Sequence, residues 1–135
     1  MLPRKYFLLI VILLVASCKS QKSSGINNDN LDDLIVKKLG TNTNKTKNFN
    51  GNYILAWAED NTSGTRLIRY CVWELEKGEL IYAGTALRGN VKWLDNTTLL
   101  VEELPGIVDS EQQNYKFKID LNTRVKVPLI EIKHE

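Results

Sequence analysis

From Asn50 onward, apolar residues return at every second position, in short runs cut by turn residues. That alternation constrains the fold more than anything else in the chain. Side chains at period two stand on opposite faces of an extended strand, whereas a helix would scatter them around its axis. The cleanest run is 115–121, with Tyr115, Phe117, Ile119 and Leu121 on one face and Lys116, Lys118 and Asp120 on the other. Segment 65–76 puts Leu67, Cys71, Trp73 and Leu75 on one side and Ile68, Tyr70 and Val72 on the other, and 52–59 is apolar on both faces, as a central strand would be. Further strands are expected over 79–86, 90–94, 98–104 and 124–127, with a last short one over 129–133. The turns fall at Asp60-Asn61-Thr62-Ser63-Gly64, Lys77-Gly78, Asp95-Asn96-Thr97 and Asn122-Thr123, and Pro128 restricts its strand to an edge. The pattern predicts an all-β domain over 49–135. It should be an antiparallel meander of six or seven short strands, folded as a small sandwich or open barrel. Trp57, Trp73, Trp93, Tyr53, Tyr70, Tyr82, Tyr115 and Phe117 are expected to supply much of its core.

Ahead of this domain the chemistry changes. Residues 18–48 hold six Lys and three Asp, a net +3, while 49–135 hold ten Lys and Arg against thirteen acids, a net −3. Rich in Lys, Ser, Asn and Thr, 18–48 reads as a polar tether, mostly disordered, of 31 steps from Cys18 to Phe49. One helix over 30–39 interrupts it. Asn30 is placed to cap it, acids open it, lysines close it and Gly40 ends it. Leu31, Leu34, Ile35 and Leu39 share one face. At this length the helix is marginal alone, so it should dock on the domain, a partner or a membrane surface.

The first residues read MLPRKYFLLIVILLVASC. Arg4 and Lys5 precede an uncharged stretch from Tyr6 to Ser17, whose twelve residues would rise only about 18 Å as a helix, short of the roughly 30 Å hydrocarbon core. A signal-peptide core fits better than a spanning segment. Val15-Ala16-Ser17-Cys18 then resembles the lipobox of bacterial lipoproteins: aliphatic, small, small, cysteine. The resemblance covers residues 1–18 only. It implies removal of 1–17 as a signal peptide, cleavage between Ser17 and Cys18, and fatty acyl groups such as palmitate on Cys18, enough for stable attachment to a membrane. By the same resemblance, Lys19, where retention in the inner membrane of enterobacterial lipoproteins calls for Asp, implies the outer membrane over the inner one in a Gram-negative cell. Within the domain, Asn90-Val-Lys-Trp-Leu-Asp-Asn-Thr-Thr-Leu-Leu-Val resembles inner strands of β-propeller blades, but a propeller needs at least four blades and the 87 residues from Phe49 hold about two.

Little in the residues supports catalysis. The single histidine, His134, is next to last, so Ser-His or Cys-His nucleophilic chemistry has no well-placed base. Cys71 sits among apolar neighbours and reads as a small buried hydrophobe, with an intermolecular disulfide or a reactive thiol as the alternative. No zinc or EF-hand spacing is present, no glycine cluster cradles a phosphate, no cofactor is indicated, and an overall charge of +2 does not suggest a nucleic-acid partner. The acid-rich stretch 102–111 offers carboxylates, yet Glu102 and Glu103, being adjacent, point to opposite faces of a strand and cannot act as a pair. Glu102 or Glu103 with Asp109 or Glu111 would be needed for a carbohydrate-active hydrolase. The loop of Pro105, Gly106, Ile107, Val108, Asp109 and Glu111 is the better candidate for partner contact, being long and carrying two apolar residues. The expectation is a lipid-anchored, non-catalytic binding or scaffold module of the bacterial envelope, with an envelope protein or glycan as partner. A hydrolase, or an inhibitor or immunity-type lipoprotein, is the alternative. Cys18→Ala tests the anchor: it should leave the precursor uncleaved and free of acyl label, and intact-mass spectrometry showing normal processing of the variant would refute lipidation there.

Overall fold

The computed structural model describes residues 28–104 and 115–129. The chain runs α1 (Asn28–Leu39), β1 (Asn44–Lys47), β2 (Tyr53–Asp60), β3 (Leu67–Glu74), β4 (Glu79–Leu87), β5 (Asn90–Trp93), β6 (Thr98–Glu102), β7 (Lys116–Asp120) and β8 (Val125–Pro128). Strands β1 to β4 pair in chain order as one antiparallel sheet, and β5 to β8 as a second. The expected all-β sandwich is therefore the architecture, built from two four-stranded meanders.

The two faces of the first sheet have different partners. Leu55, Ile68, Tyr70, Val72 and Ala86 face the second sheet, whose Val91, Leu99, Val101, Ile119 and Leu121 complete the central core. On the opposite face, Ile54, Ala56, Ala58, Cys71 and Trp73 meet Leu31, Ile35 and Leu39 of α1. The layers are thus helix, sheet, sheet. This is why 52–59 and 65–76 are apolar on both faces: each lies between two layers. Ile35 is wholly buried, and a buried aliphatic of that size contributes about 1.5–3 kcal/mol. Small Ala56 and Ala58 let the helix approach the sheet closely. Gly40 (φ +98°) ends the helix by donating its N–H to Val36 O at 2.8 Å, a left-handed terminus that glycine adopts at little cost.

Two features join the sheets. At one end β4 turns into β5 through only Arg88 and Gly89, with Arg88 in the left-handed region at φ +51°. The Leu87 carbonyl, at the end of β4, accepts from Leu104 N–H at 2.9 Å, so the strand passes from one sheet to the other without losing backbone partners. At the other end, the β1–β2 and β5–β6 turns are clasped. Asn48, the only buried polar residue among those described, donates from Nδ2 to Asn96 O (2.8 Å) and accepts from Tyr53 N–H at Oδ1 (3.0 Å). Asn96 Oδ1 accepts from Asn50 N–H (2.9 Å), and Trp93 Nε1 donates to Thr46 O (3.3 Å). Strand β5 therefore crosses beneath the first sheet from its β4 edge to its β1 edge, touching β2 and β3 on the way.

Several expectations need correction. The sheet begins before residue 49. Strand β1 pairs Asn44 with Trp57 and Lys47 with Ile54, making eight strands among the described residues instead of six or seven. The helix starts at Asn28, two residues ahead of the expected cap at Asn30, and it docks on the domain. Of the sequence 18–48 read as tether, 28–48 belongs to the folded body; 18–27 and the possible strand residues 130–133 lie outside the described residues. The core is more aliphatic than expected. Tyr70 and Trp73 are buried, while Tyr53, Trp57, Tyr82, Trp93 and Phe117 are partly buried around the rim of the central cluster.

The corner has a direct test. A Cβ on Gly89 would lie 1.6 Å from Glu102 O and 3.1 Å from Glu103 Cα, both backbone atoms that cannot move aside without shifting β6. Gly89→Ala should lower the stability measured by denaturant unfolding by at least about 1–3 kcal/mol. A midpoint within experimental error of the wild type would show that the corner does not hold the sheets as described.

Candidate functional site

The sandwich has two chemically different ends. The near end carries the start of α1: Leu31 and Asp32 line a groove of about 380 Å³ with Lys45, Thr46, Lys47, Ile54 and Leu75, and Asp32 Oδ1 pairs with Lys45 Nζ at 2.9 Å. The turns 48–52, 75–78 and 94–97 project from this end. The far end carries the last turn of α1, where Arg69 donates to Leu39 O at 3.2 Å, together with the loop 61–66, the Arg88-Gly89 corner and the departure of the chain after Leu104.

At the far end the candidate partner loop is rooted, although Pro105, Gly106, Ile107, Val108, Asp109 and Glu111 lie outside the described residues. Its root is apolar and held by backbone bonds. Leu104 is 58% exposed and Leu87, to which its N–H is bonded, is 38% exposed. On the other side of the loop, Glu103 N–H donates to Tyr115 O at 2.7 Å. Arg88 N–H donates to Arg66 O at 2.8 Å, and the Arg66 side chain is held to Glu59 at 2.6 Å. That contact, chiefly the Arg66 hydrogen bond, keeps the Glu59 pKa below the ordinary carboxylate value. Nearby, Thr62 bonds to Asp60 through its hydroxyl and its N–H, lowering the Asp60 pKa, and Arg69 Nε stands 3.8 Å from Asp60 Oδ2. Two exposed leucines thus stand at the same end as two arginines. Sequence reading missed Leu87 and Leu104 because each ends an alternating run and looks like part of it.

Of the carboxylates considered for catalysis, Glu102 and Glu103 take opposite faces of the second sheet. In register, Glu102 stands between Asn90 and Lys116 on the outer face. Glu103 turns inward and pairs with Lys126, whose ammonium lies 4.2 Å from the centre of the Phe117 ring. An inward-pointing charged pair beside edge strand β8 has a structural use, since it discourages pairing with a second sheet edge. Asp109 and Glu111 lie outside the described residues. Among those described, no three His, Cys, Asp or Glu residues come together as a metal site. Cys71 is free and fully buried beneath α1; burial raises its pKa, against the Trp73 indole N–H, which donates toward the sulfur at 3.3 Å, and against Lys38. That makes it a poor nucleophile. A second groove, of about 290 Å³, lies at the end of α1 between Lys38, Leu39, Arg69 and Thr85, and like the first it is a seam between helix and sheet.

Ser17 and Cys18 lie outside the described residues. Among those described, no helix is long and apolar enough to cross a membrane. Comparison with protein-family models, curated proteins and solved structures finds no match.

One buried group gives a pH signature. The Tyr70 ring lies over Gly84, where a Cβ would come within 2.6 Å of its hydroxyl, and it stacks on Tyr82 with centroids 6.2 Å apart. Burial first, then Tyr82 and the Glu103 carboxylate, raise the Tyr70 pKa well above its ordinary value. Because the folded state favours the neutral phenol, this contribution is complete below the unfolded value near pH 10 and is lost as pH rises toward the folded one. Denaturation midpoints should fall above about pH 10, and Tyr70→Phe should flatten that decline. Parallel alkaline losses in variant and wild type would assign the effect to another group.

Proposed function

We propose that this chain is a lipid-anchored bacterial envelope protein, attached through acylated Cys18, whose sandwich is a non-catalytic binding or scaffold module. The observation that carries the reading is the placement of the two ends. The described body starts at Asn28, ten residues after Cys18, and α1 begins at the near end, whereas the exposed Leu87 and Leu104 and the root of the 105–113 loop are at the far end. A chain tied down at one end offers its opposite end to partners. Strands of eight residues, as in β2 and β3, set that end about 27 Å from the turns of the near end. Lys19 in place of Asp favours the outer membrane. Glu103, one of the carboxylates a hydrolase would use, is engaged in an ion pair with Lys126, which fits a binding role.

A photo-cross-linking amino acid at Leu104 should give a discrete higher-mass adduct in cells. One at Thr46, bonded within the clasped end, should give none, and deletion of 105–113 should abolish or strongly reduce the adduct. Equal cross-linking at both positions, or an adduct unaffected by the deletion, would remove the far end from partner binding.

A further inference from the structure

The near end carries a feature that the binding reading leaves unused. Phe49 is 73% exposed, the most exposed large apolar side chain among the described residues. It stands in the turn between β1 and β2, in the sequence Asn48-Phe49-Asn50-Gly51-Asn52. This turn is firmly held on both sides of the phenylalanine. Asn48 is buried, with its side chain bonded to Asn96 O and Tyr53 N–H, and its backbone N–H and carbonyl bonded to Tyr53 O and Gly51 N–H. Asn50 N–H is bonded to Asn96 Oδ1, and Asn50 Oδ1 accepts from Asn52 N–H at 3.2 Å. The backbone that carries the ring is held by this clasp before it meets anything, so little backbone entropy is lost when the ring is covered. Leu94, 41% exposed, lies in the apposed β5–β6 turn that Asn96 ties to this one.

The chain outside the described residues says what covers the ring. Lys47 and Leu31 line the same groove, so the Phe49 turn extends the end of the body at which α1 begins. From Asn28 back to Cys18 there are ten steps, a length that as a flexible coil spans about 18 Å on average, less than the separation of the two ends. An acylated cysteine brings this end, before any other, to the lipid surface. We infer that Phe49, with Leu94 in the apposed turn, is a lipid-contacting site that inserts into the interfacial layer of the bilayer and fixes the orientation of the sandwich. This rests on the lipid-anchor reading. The near end mixes Lys47, Lys77 and Arg124 with Glu76, Glu79 and Asp95, so insertion of apolar side chains, and not attraction to anionic head groups, is its basis. A single ring is weak in free solution, but the anchor has already met the translational cost, leaving only orientation to be decided.

The test uses full-length, lipidated protein reconstituted in vesicles of phosphatidylethanolamine and phosphatidylglycerol. Phe49→Trp adds one indole, read as the difference from wild-type emission, and Thr62→Trp serves as the far-end control. With brominated acyl chains, about half of the emission added at position 49 should be quenched and almost none at 62, because an inserted side chain reaches the upper acyl region. Co-flotation with the vesicles but equal or absent quenching at 49 overturns the insertion and leaves the anchor standing. A blue shift at 49 that grows with protein density, without bromine quenching, assigns the ring to a second copy and also overturns it. Failure of the processed protein to float with the vesicles overturns both readings together.

Discussion

Gly89 and Glu102 approach so closely that even a methyl group is excluded between them, and the rest of the sandwich depends on that contact. The contact allows the chain to pass directly from one sheet to the other: β4 closes the first, and after two residues β5 opens the second. A longer connection would leave the second meander free to swing. Here its direction is set at the corner, and the only remaining freedom is rotation about it. The asparagine clasp removes that freedom at the opposite end, with a buried side chain that satisfies its own polar atoms while bridging two turns. Leaving such a group unpaired would cost about 1–3 kcal/mol, so the clasp has a defined closed state instead of a gradual one. Between the two fixed points, the apolar rows of both sheets are brought into contact.

The helix follows from the same geometry. Once β5 to β8 cover one face of the first sheet, its other face still carries Ile54, Ala56, Ala58, Cys71 and Trp73. Two four-stranded sheets have only one interface to share, so a third layer is needed, and α1 supplies it with three buried aliphatic residues. The second sheet needs no such cover over most of its outer face, where Lys92, Lys116, Lys118, Glu102 and Asp120 alternate with its core positions. The asymmetry between the sheets is therefore already present in their strands: continuous apolar character in β2 and β3, strict alternation in β7.

This explains how much of the molecule was legible from sequence. Strands with one or two buried faces announced themselves, and the division of β3 into Ile68, Tyr70 and Val72 against Cys71 and Trp73 is the division between the two cores. The helix was visible through the spacing of Leu31, Ile35 and Leu39. Strand β1 was not, because Asn44, Lys45, Thr46 and Lys47 are all exposed and leave no hydrophobic period; β2 recruits it through backbone hydrogen bonds that carry no residue signature. The preference for aliphatic residues in the centre was also hidden. Composition counts aromatic rings but does not say that rings at sheet margins pack by one side only. At the far end, nothing in Leu87 or Leu104 separately indicates an exposed pair, since their proximity is a long-range backbone contact. Phe49 carried the clearest unused signal: a large aromatic between two asparagines, in a turn that has no packing reason for it.

A sandwich whose ends differ in this way acts mechanically as well as chemically. Its connections divide between the two ends, and strand length sets the distance between them, so any contact made at the corner is held a fixed distance from any contact made at the clasp. Loosening either joint would let the sheets rotate and would spread that distance into a range. Rigid attachment of the two meanders is thus what permits a body of this size to relate two surfaces to each other. The excluded methyl at Gly89 and the satisfied amide of Asn48 are the two places where that rigidity is concentrated.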